Sequence, residues 1–276
     1  MIQDILPHVF HNEYKPDSKL QADSPVLCYA EGKILIHRRA DDKTPLVFPR
    51  GDQTDGTCVY AFSVDDTEYF LDIGGKKHEL PDFEYIPVRE ARAHLPNVFG
   101  MILYTGYHLS QWYEESRYCG ACAAATVHSL TERAVQCPGC GRTYYPRLLP
   151  AVIVGVTDGD RLLVTKYKTG FGYFALVAGF VEIGETLEET VAREVREETG
   201  LKVKNIRYYK SQPWGIVKDV LMGFYCDVDG DSTIRLDENE LKLAEWRKAE
   251  DIELQPDNYS LTNEMMKNFK DKKGAI

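Results

Sequence analysis

Apolar and polar positions alternate in short stretches over the first 115 residues. Residues 25–29, 33–37, 58–64 and 68–73 are apolar or alternating, and turn-rich pieces at 40–45 and 51–56 separate them. A period near two, punctuated by Gly, Pro and Asp, predicts a mainly β domain. Helices are predicted over 87–95 and from 97 to about 118, the second feeding a cysteine-rich stretch. The pattern changes after residue 146. Strands are predicted at 151–156 and 161–167 around the turn Asp158-Gly159-Asp160, and further strands at 203–210 and 220–228. A helix is predicted over 187–199 and an amphipathic helix over 258–271. This alternation predicts an α/β domain of layered type.

The helix at 187–199 carries the clearest punctuation. Thr186 and Glu189 have the spacing of a capping box, and Gly200 stands where a left-handed residue ends a helix. At 100° per residue, Leu187, Val191 and Val195 make one apolar stripe. Glu194, Glu197 and Glu198 fall in an arc of roughly 100° beside it. Carboxylates crowded at the edge of a buried face repel and lose hydration unless a divalent cation neutralises them. Arg193, four residues before Glu197, screens only part of that charge. A solvated acidic face is the simpler reading of a charge run. Here Glu189 and Arg196 already supply the solvated side.

Composition adds bounds rather than detail. The 276 residues are 43% hydrophobic and 28% charged, which suits two domains, or one domain with an added module. The aromatic share of 11% excludes intrinsic disorder. No apolar run reaches the roughly 18 residues a bilayer span requires. The opening MIQDILPHVF has no basic leader before an apolar stretch, so a cytoplasmic location is expected. A net charge of −10 argues against gripping a nucleic-acid backbone through clustered basic residues. Much of the acidity lies in residues 182–198, which hold seven glutamates.

The seven cysteines divide into two groups. Cys28, Cys58 and Cys226 stand singly and read as small buried apolar side chains. Cys119, Cys122, Cys137 and Cys140 form C-x2-C-x14-C-x2-C, the spacing of a tetrahedral zinc site. A redox dithiol would need one pair, not two. Four thiolates close the shell and leave no open position for water, so the zinc is expected to be structural. Gly120, Gly139 and Gly141 are expected to allow the tight backbone of the two knuckles.

The string from Gly179 to Leu201 includes Glu185, Arg193, Glu194, Glu197, Glu198 and Gly200. It resembles the Nudix hydrolase signature, G-x5-E-x7-R-E-U-x-E-E-x-G-U, at every fixed position. The resemblance implies an α/β/α sandwich whose loop and helix bind Mg²⁺ or Mn²⁺, and hydrolysis of a nucleoside diphosphate linked to another moiety. It implies Glu194, Glu198 and the Ala178 carbonyl as metal ligands, with Glu197 as a ligand or general base. Spacing alone leaves open which glutamate does which.

A zinc segment before the Nudix unit, then Tyr145-Pro146, and later Ser211-Gln212-Pro213-Trp214, are similar to the NAD(H) pyrophosphatase subfamily. The resemblance implies a mainly β N-terminal domain over 1–115, a zinc ribbon over 116–145 and a Nudix domain over 146–276, assembled as a homodimer. The implied reaction cleaves NAD(H) to nicotinamide mononucleotide and AMP, and in some members removes NAD caps from RNA 5′ ends. Carried over by position, Phe180 would stack on the nicotinamide side and Tyr145 would line the pocket. Gln212 and Trp214 would contact substrate, Glu240 would be a further metal-binding glutamate, and Glu132, Thr262 and Arg89 align with substrate contacts.

The subfamily motif continues Pro-Phe-Pro-x-Ser, whereas this chain has Gly215-Ile-Val-Lys-Asp219 and one added residue before Leu221-Met222. A rigid aromatic loop is thereby replaced by a more flexible one. The choice among NADH, NAD⁺, ADP-ribose and capped RNA stays open. Two alternatives stand beside the first reading: a Nudix hydrolase of ADP-ribose or another dinucleotide, and a catalytically dead zinc-ribbon binding module. The intact glutamate set argues against the second of these.

Overall fold

The computed structural model describes residues 1–39, 45–170 and 172–274. The turn expected at 40–45 falls mostly outside these residues. The chain forms two compact units: Asp4–Arg147 with Gly215–Lys218, and Met1–Gln3 with Leu148–Trp214 and Asp219–Ile276.

The unit built mainly from the C-terminal half is organised by the strand Leu149–Asp158. It pairs parallel with Asp219–Val228 and antiparallel with Val177–Phe180 and the start of Arg161–Tyr167. Val203–Trp214 and Leu241–Lys248 complete a six-stranded sheet. Side chains alternate along the central strand, so Val152, Val154 and Val156 join Val191 and Val195 of the helix Leu187–Thr199 in one core. Ala151 and Ile153 face the other way and pack with Leu261, Met265, Met266 and Phe269 of the helix Leu261–Asp271. Each large apolar side chain buried this way contributes about 1.5–3 kcal/mol. Helices therefore cover both faces, and the unit is the expected α/β/α sandwich.

Several boundaries differ from the sequence reading. Val177–Phe180 and Leu241–Lys248 are strands that were not expected. Val203–Trp214 runs on to include the Ser-Gln-Pro-Trp segment. The last helix starts at Leu261, because the Ser260 side chain accepts the Asn263 N–H and caps it there. The first three residues belong to this unit: the Ile2 N–H donates to the Tyr259 carbonyl at 3.0 Å, and Gln3 Nε2 donates to the Ser211 carbonyl at 2.8 Å.

The other unit is mainly strand, with one long helix. One sheet contains Phe10–His11, Cys58–Val64, Thr67–Asp72 and Val26–Leu27, and a second contains Tyr29–Ala30, Lys33–Arg38, Leu46–Val47 and Glu84–Pro87. The helix expected at 87–95 is a single turn, Val88–Ala91, and His94 beyond it takes a left-handed φ of 61°. The helix Asn97–Glu115 buries Ile102, Leu103 and Trp112. The three short strands of the cysteine segment, Val127–His128, Val135–Gln136 and Thr143–Tyr144, lie in this same unit.

Candidate active site and zinc ribbon

The four ribbon cysteines converge. Their Sγ atoms lie within 4.8 Å of one another, with Cys119 3.5 Å from Cys140 and Cys122 3.4 Å from Cys137. Each C-x2-C turn is closed by a backbone bond from the residue four beyond the first cysteine: Ala123 N–H to Cys119 O and Gly141 N–H to Cys137 O. These two residues carry the left-handed φ values, 58° and 75°. Gly120 and Gly139 do not, so the glycine expectation holds only for Gly141. The four sulfurs cannot all ionise side by side without a cation. Hydrogen bonds from the Tyr144 hydroxyl and the Ala121 amide lower the Cys119 thiol to about 5. The Ala124 amide favours the Cys122 thiolate, but contacts with Cys137 and Cys119 win and push that thiol up to about 12. The donor set fits a structural zinc ion.

In the sandwich unit, the acidic helix starts and stops as its sequence predicts. Thr186 and Glu189 form a reciprocal capping box, and Gly200 ends the helix with φ 71°. The three glutamates differ sharply in exposure. Glu198 is 2% exposed, and neither oxygen makes a well-formed hydrogen bond, the Ala178 backbone being the group that comes nearest to one. Burial pushes its carboxyl up to about 8; the Ala178 backbone opposes this, and the charges of Glu194, Glu240 and Asp237 add to it. Glu194 is also raised, first by burial, with Arg193 opposing. Glu197 faces solvent at 58% side-chain exposure. Crowding at the helix edge thus concentrates in Glu194 and Glu198.

Arg193 organises what surrounds them. Its guanidinium grips Glu185 at 2.6 and 2.9 Å, and reaches Glu194 at 2.7 Å, Glu197 at 3.0 Å and the Phe180 carbonyl at 2.9 Å. That fork holds the Glu185 carboxyl down to about 2. Gly179 supplies the space: a β-carbon there would lie 1.9 Å from the Glu194 carboxyl carbon. Pairing of Gly179 with Val152 and of Ala178 with Ile153 fixes this backbone against the central strand. A buried carboxylate without a well-formed hydrogen bond, beside a second one that occupies a glycine's empty side, is a donor set that fits a divalent cation.

The remaining expected residues fall in different places. Ala178 lies on the strand facing the helix, and Glu240 sits in an exposed turn whose charge acts on both Glu194 and Glu198. Phe180 is 51% exposed. Trp214 is partly buried against the core that contains Tyr225 and Met265. Gln212 is fully buried, and its amide is engaged at both ends: Nε2 donates to the Tyr259 carbonyl at 2.6 Å and Oε1 accepts the Leu261 N–H at 2.6 Å. Thr262 follows in the first turn of that helix. In the other unit, the Tyr145 hydroxyl donates to Glu132 at 3.1 Å, and Arg89 is exposed on the short turn Val88–Ala91. Sequence reasoning missed Tyr167, whose phenol is pushed up by burial and then by Glu198, Glu240 and Glu194. No motif marks it; only the pairing of Arg161–Tyr167 in the sheet brings it there.

Known proteins match both segments. Residues 147–269 match the NUDIX domain, and residues 114–145 match the NADH pyrophosphatase zinc ribbon domain. A curated relative, NAD-capped RNA hydrolase NudC of Photorhabdus laumondii, is 38% identical over 162 residues, 58% of this chain and 63% of the relative. The protein of the same name from Enterobacter sp. is 41% identical over 152 residues, 55% of this chain and 58% of the relative. The chain thus matches less than two thirds of the length of these relatives. A crystal structure of a NUDIX hydrolase from Nitrosomonas europaea superposes with a TM-score of 0.50 at 20% identity, over 56% of this chain and 91% of that one, which supports the fold. No helix among the described residues is long and apolar enough to cross a membrane.

Proposed function

We propose that this chain, which carries a NUDIX domain behind an NADH pyrophosphatase zinc ribbon, hydrolyses the pyrophosphate of NAD(H) to nicotinamide mononucleotide and AMP in a divalent-metal-dependent reaction. The observation that carries the reading is Glu198, a carboxylate sealed from water with neither oxygen in a well-formed hydrogen bond, at the edge of the helix Leu187–Thr199. Such a group is costly unless a cation takes it up.

Glu198 and Glu194 would hold Mg²⁺ or Mn²⁺, with the Ala178 carbonyl as a neutral oxygen donor and Glu240 as a further carboxylate. When bound, the cation neutralises charge on the pyrophosphate oxygens and acidifies a coordinated water. Arg193 keeps Glu194 and Glu197 in place and ties them to the Phe180 carbonyl. Glu197 stays solvent-facing and is the carboxylate available to accept a proton from the attacking water. Phe180 offers an exposed aromatic face to the nicotinamide ring. Trp214 and Thr262 of the sandwich unit would add substrate contacts; for Tyr145, Glu132 and Arg89 of the other unit, a substrate role rests on the resemblance alone. Zinc in the ribbon has a structural role.

The relatives named NAD-capped RNA hydrolase support removal of NAD caps from RNA 5′ ends as a second activity. We further propose a homodimer and a cytoplasmic location, the latter suited to four reduced ribbon cysteines.

One departure from the subfamily motif bears on which dinucleotide is cleaved. A β-carbon on Gly215 would lie 2.1 Å from the Tyr104 carbonyl oxygen, so the position where the subfamily carries proline has no room for that residue. The turn after Trp214 is therefore built differently here, which suits a changed preference such as ADP-ribose. The test offers NADH, NAD⁺, ADP-ribose and NAD-capped RNA in parallel with Mg²⁺ or Mn²⁺ and resolves the products. Release of the nicotinamide mononucleotide half supports the proposal. Cleavage of ADP-ribose alone would replace it with the second reading, and no turnover with any of the four would refute both.

A further inference from the structure

Cys28, Asp72 and His78 bring three metal-binding side chains together inside the unit Asp4–Arg147, as a group separate from the ribbon cysteines. The sheet explains why. Val26–Leu27 runs parallel to Thr67–Asp72 with Leu27 beside Leu71, so the next residue on each chain, Cys28 and Asp72, comes at the same level. On the other side of Asp72, its antiparallel partner is Cys58. Neighbours at one level of a sheet project to the same face. His78 enters from the loop that follows, and its Nε2 lies 2.5 Å from Asp72 Oδ2.

The cluster is buried and fixed. Cys28 is 2% exposed, Asp72 9% and His78 8%, and one ligand atom from each lies within 4.8 Å of the other two. The Gly74 N–H holds Asp72 Oδ1 at 2.8 Å, and a β-carbon on Gly56 would fall 2.4 Å from that same oxygen, so the backbone is cleared for this carboxylate. His78 Nδ1 lies 3.5 Å from the exposed carboxylate of Asp55, the outer partner that orients a ligating histidine in many metal sites. The His78 N–H donates to the Tyr85 hydroxyl at 3.2 Å.

A buried His–Asp pair beside a packed cysteine would be the ordinary explanation. It accounts for the 2.5 Å contact but gives no role to Cys28, whose sulfur lies within 4.8 Å of both partners' ligand atoms. Sulfur, imidazole nitrogen and carboxylate oxygen converging at this distance form a donor set for zinc-type cations. One thiolate and one carboxylate would neutralise a divalent ion, leaving no net charge in the interior.

We propose that Cys28, Asp72 and His78 form a second site for a zinc-type divalent cation. The ion would pin the loop after Thr67–Asp72 onto the sheet. The inference does not depend on the proposed hydrolase activity.

Cobalt(II) titration of the metal-free full chain tests it, with the wild type read beside His78→Gln and Cys28→Ala. Read in the thiolate-to-cobalt absorption band, where cobalt on the glutamates of the sandwich unit is silent, the expected result is two equivalents in the wild type, falling to one in both variants while the four-thiolate ribbon spectrum persists. A single thiolate-ligated equivalent in the wild type, unchanged by either substitution, would overturn the proposal. Should a variant fail to fold, the wild type still decides. A mixed sulfur–nitrogen–oxygen cobalt spectrum beside the ribbon's supports the second site, and a ribbon spectrum alone refutes it.

Discussion

A methyl group on Gly179 would sit 1.9 Å from the carboxyl carbon of Glu194. The glycine that opens the acidic motif therefore makes room for a carboxylate fifteen positions on, rather than serving a turn. Gly179→Ala is expected to displace Glu194 from the cation and cut kcat by at least about tenfold. It should leave the pairing of this strand with Ala151–Val154 largely intact. Manganese affinity and far-UV circular dichroism check the two halves of the prediction. Full activity in the alanine variant would show that the position of Glu194 is immaterial.

Arg193 holds three carboxylates and a carbonyl through a planar fork that lysine cannot reproduce. Arg193→Lys should lower stability by about 2–3 kcal/mol in urea unfolding, the scale of hydrogen bonds to charged groups. It should also reduce turnover, because Glu194 and Glu197 lose their common anchor. A variant with unchanged midpoint and unchanged kcat would contradict this role.

Gln212 was expected at the substrate, yet its amide is engaged inside the sandwich unit between Tyr259 and Leu261. Gln212→Ala would strand the Leu261 N–H at the helix start, while the Tyr259 carbonyl keeps the Ile2 N–H, at a cost of about 1–3 kcal/mol. We expect the loss in denaturant midpoint, with KM for the dinucleotide changed less than stability. A raised KM at unchanged stability would return Gln212 to the substrate.

These cases show what was legible. The acidic helix could be read from its own residues, because capping, periodicity and the C-terminal glycine are all local, and the ribbon from four cysteines at fixed spacing. Val177–Phe180 could not: a four-residue strand after a glycine-rich stretch becomes a strand only when Ala151–Val154 lies beside it. Leu241–Lys248, made largely of good helix formers, is held extended by Arg161–Tyr167. The burial of Gln212 depends on a helix cap almost fifty residues away. Cys28 and Cys58 read as packing residues until the sheet set them on either side of Asp72.

Asp219 is 5% exposed, and its Oδ1 has no partner. Burial pushes its carboxyl from 3.8 up to about 7. A raised carboxyl favours the folded state while protonated, so its contribution is present in full below pH about 4 and is lost as pH rises through about 7. Asp219→Asn should therefore leave stability at pH 4 nearly unchanged and raise it at pH 8 by about 1–2 kcal/mol. Urea midpoints at the two pH values check this; an equal shift at both would exclude titration of Asp219 as the cause.

The central claim is that Glu198 stays ionised at its buried position by holding a divalent cation. The direct measurement is manganese binding to metal-free protein, followed by electron paramagnetic resonance, for wild type and Glu198→Gln. The account predicts saturable binding in the wild type, at least about 100-fold weaker in the variant. It also predicts that metal-free Glu198→Gln is no less stable than metal-free wild type, since an isolated buried carboxyl has been removed. Equal manganese affinity in the two proteins would contradict the claim.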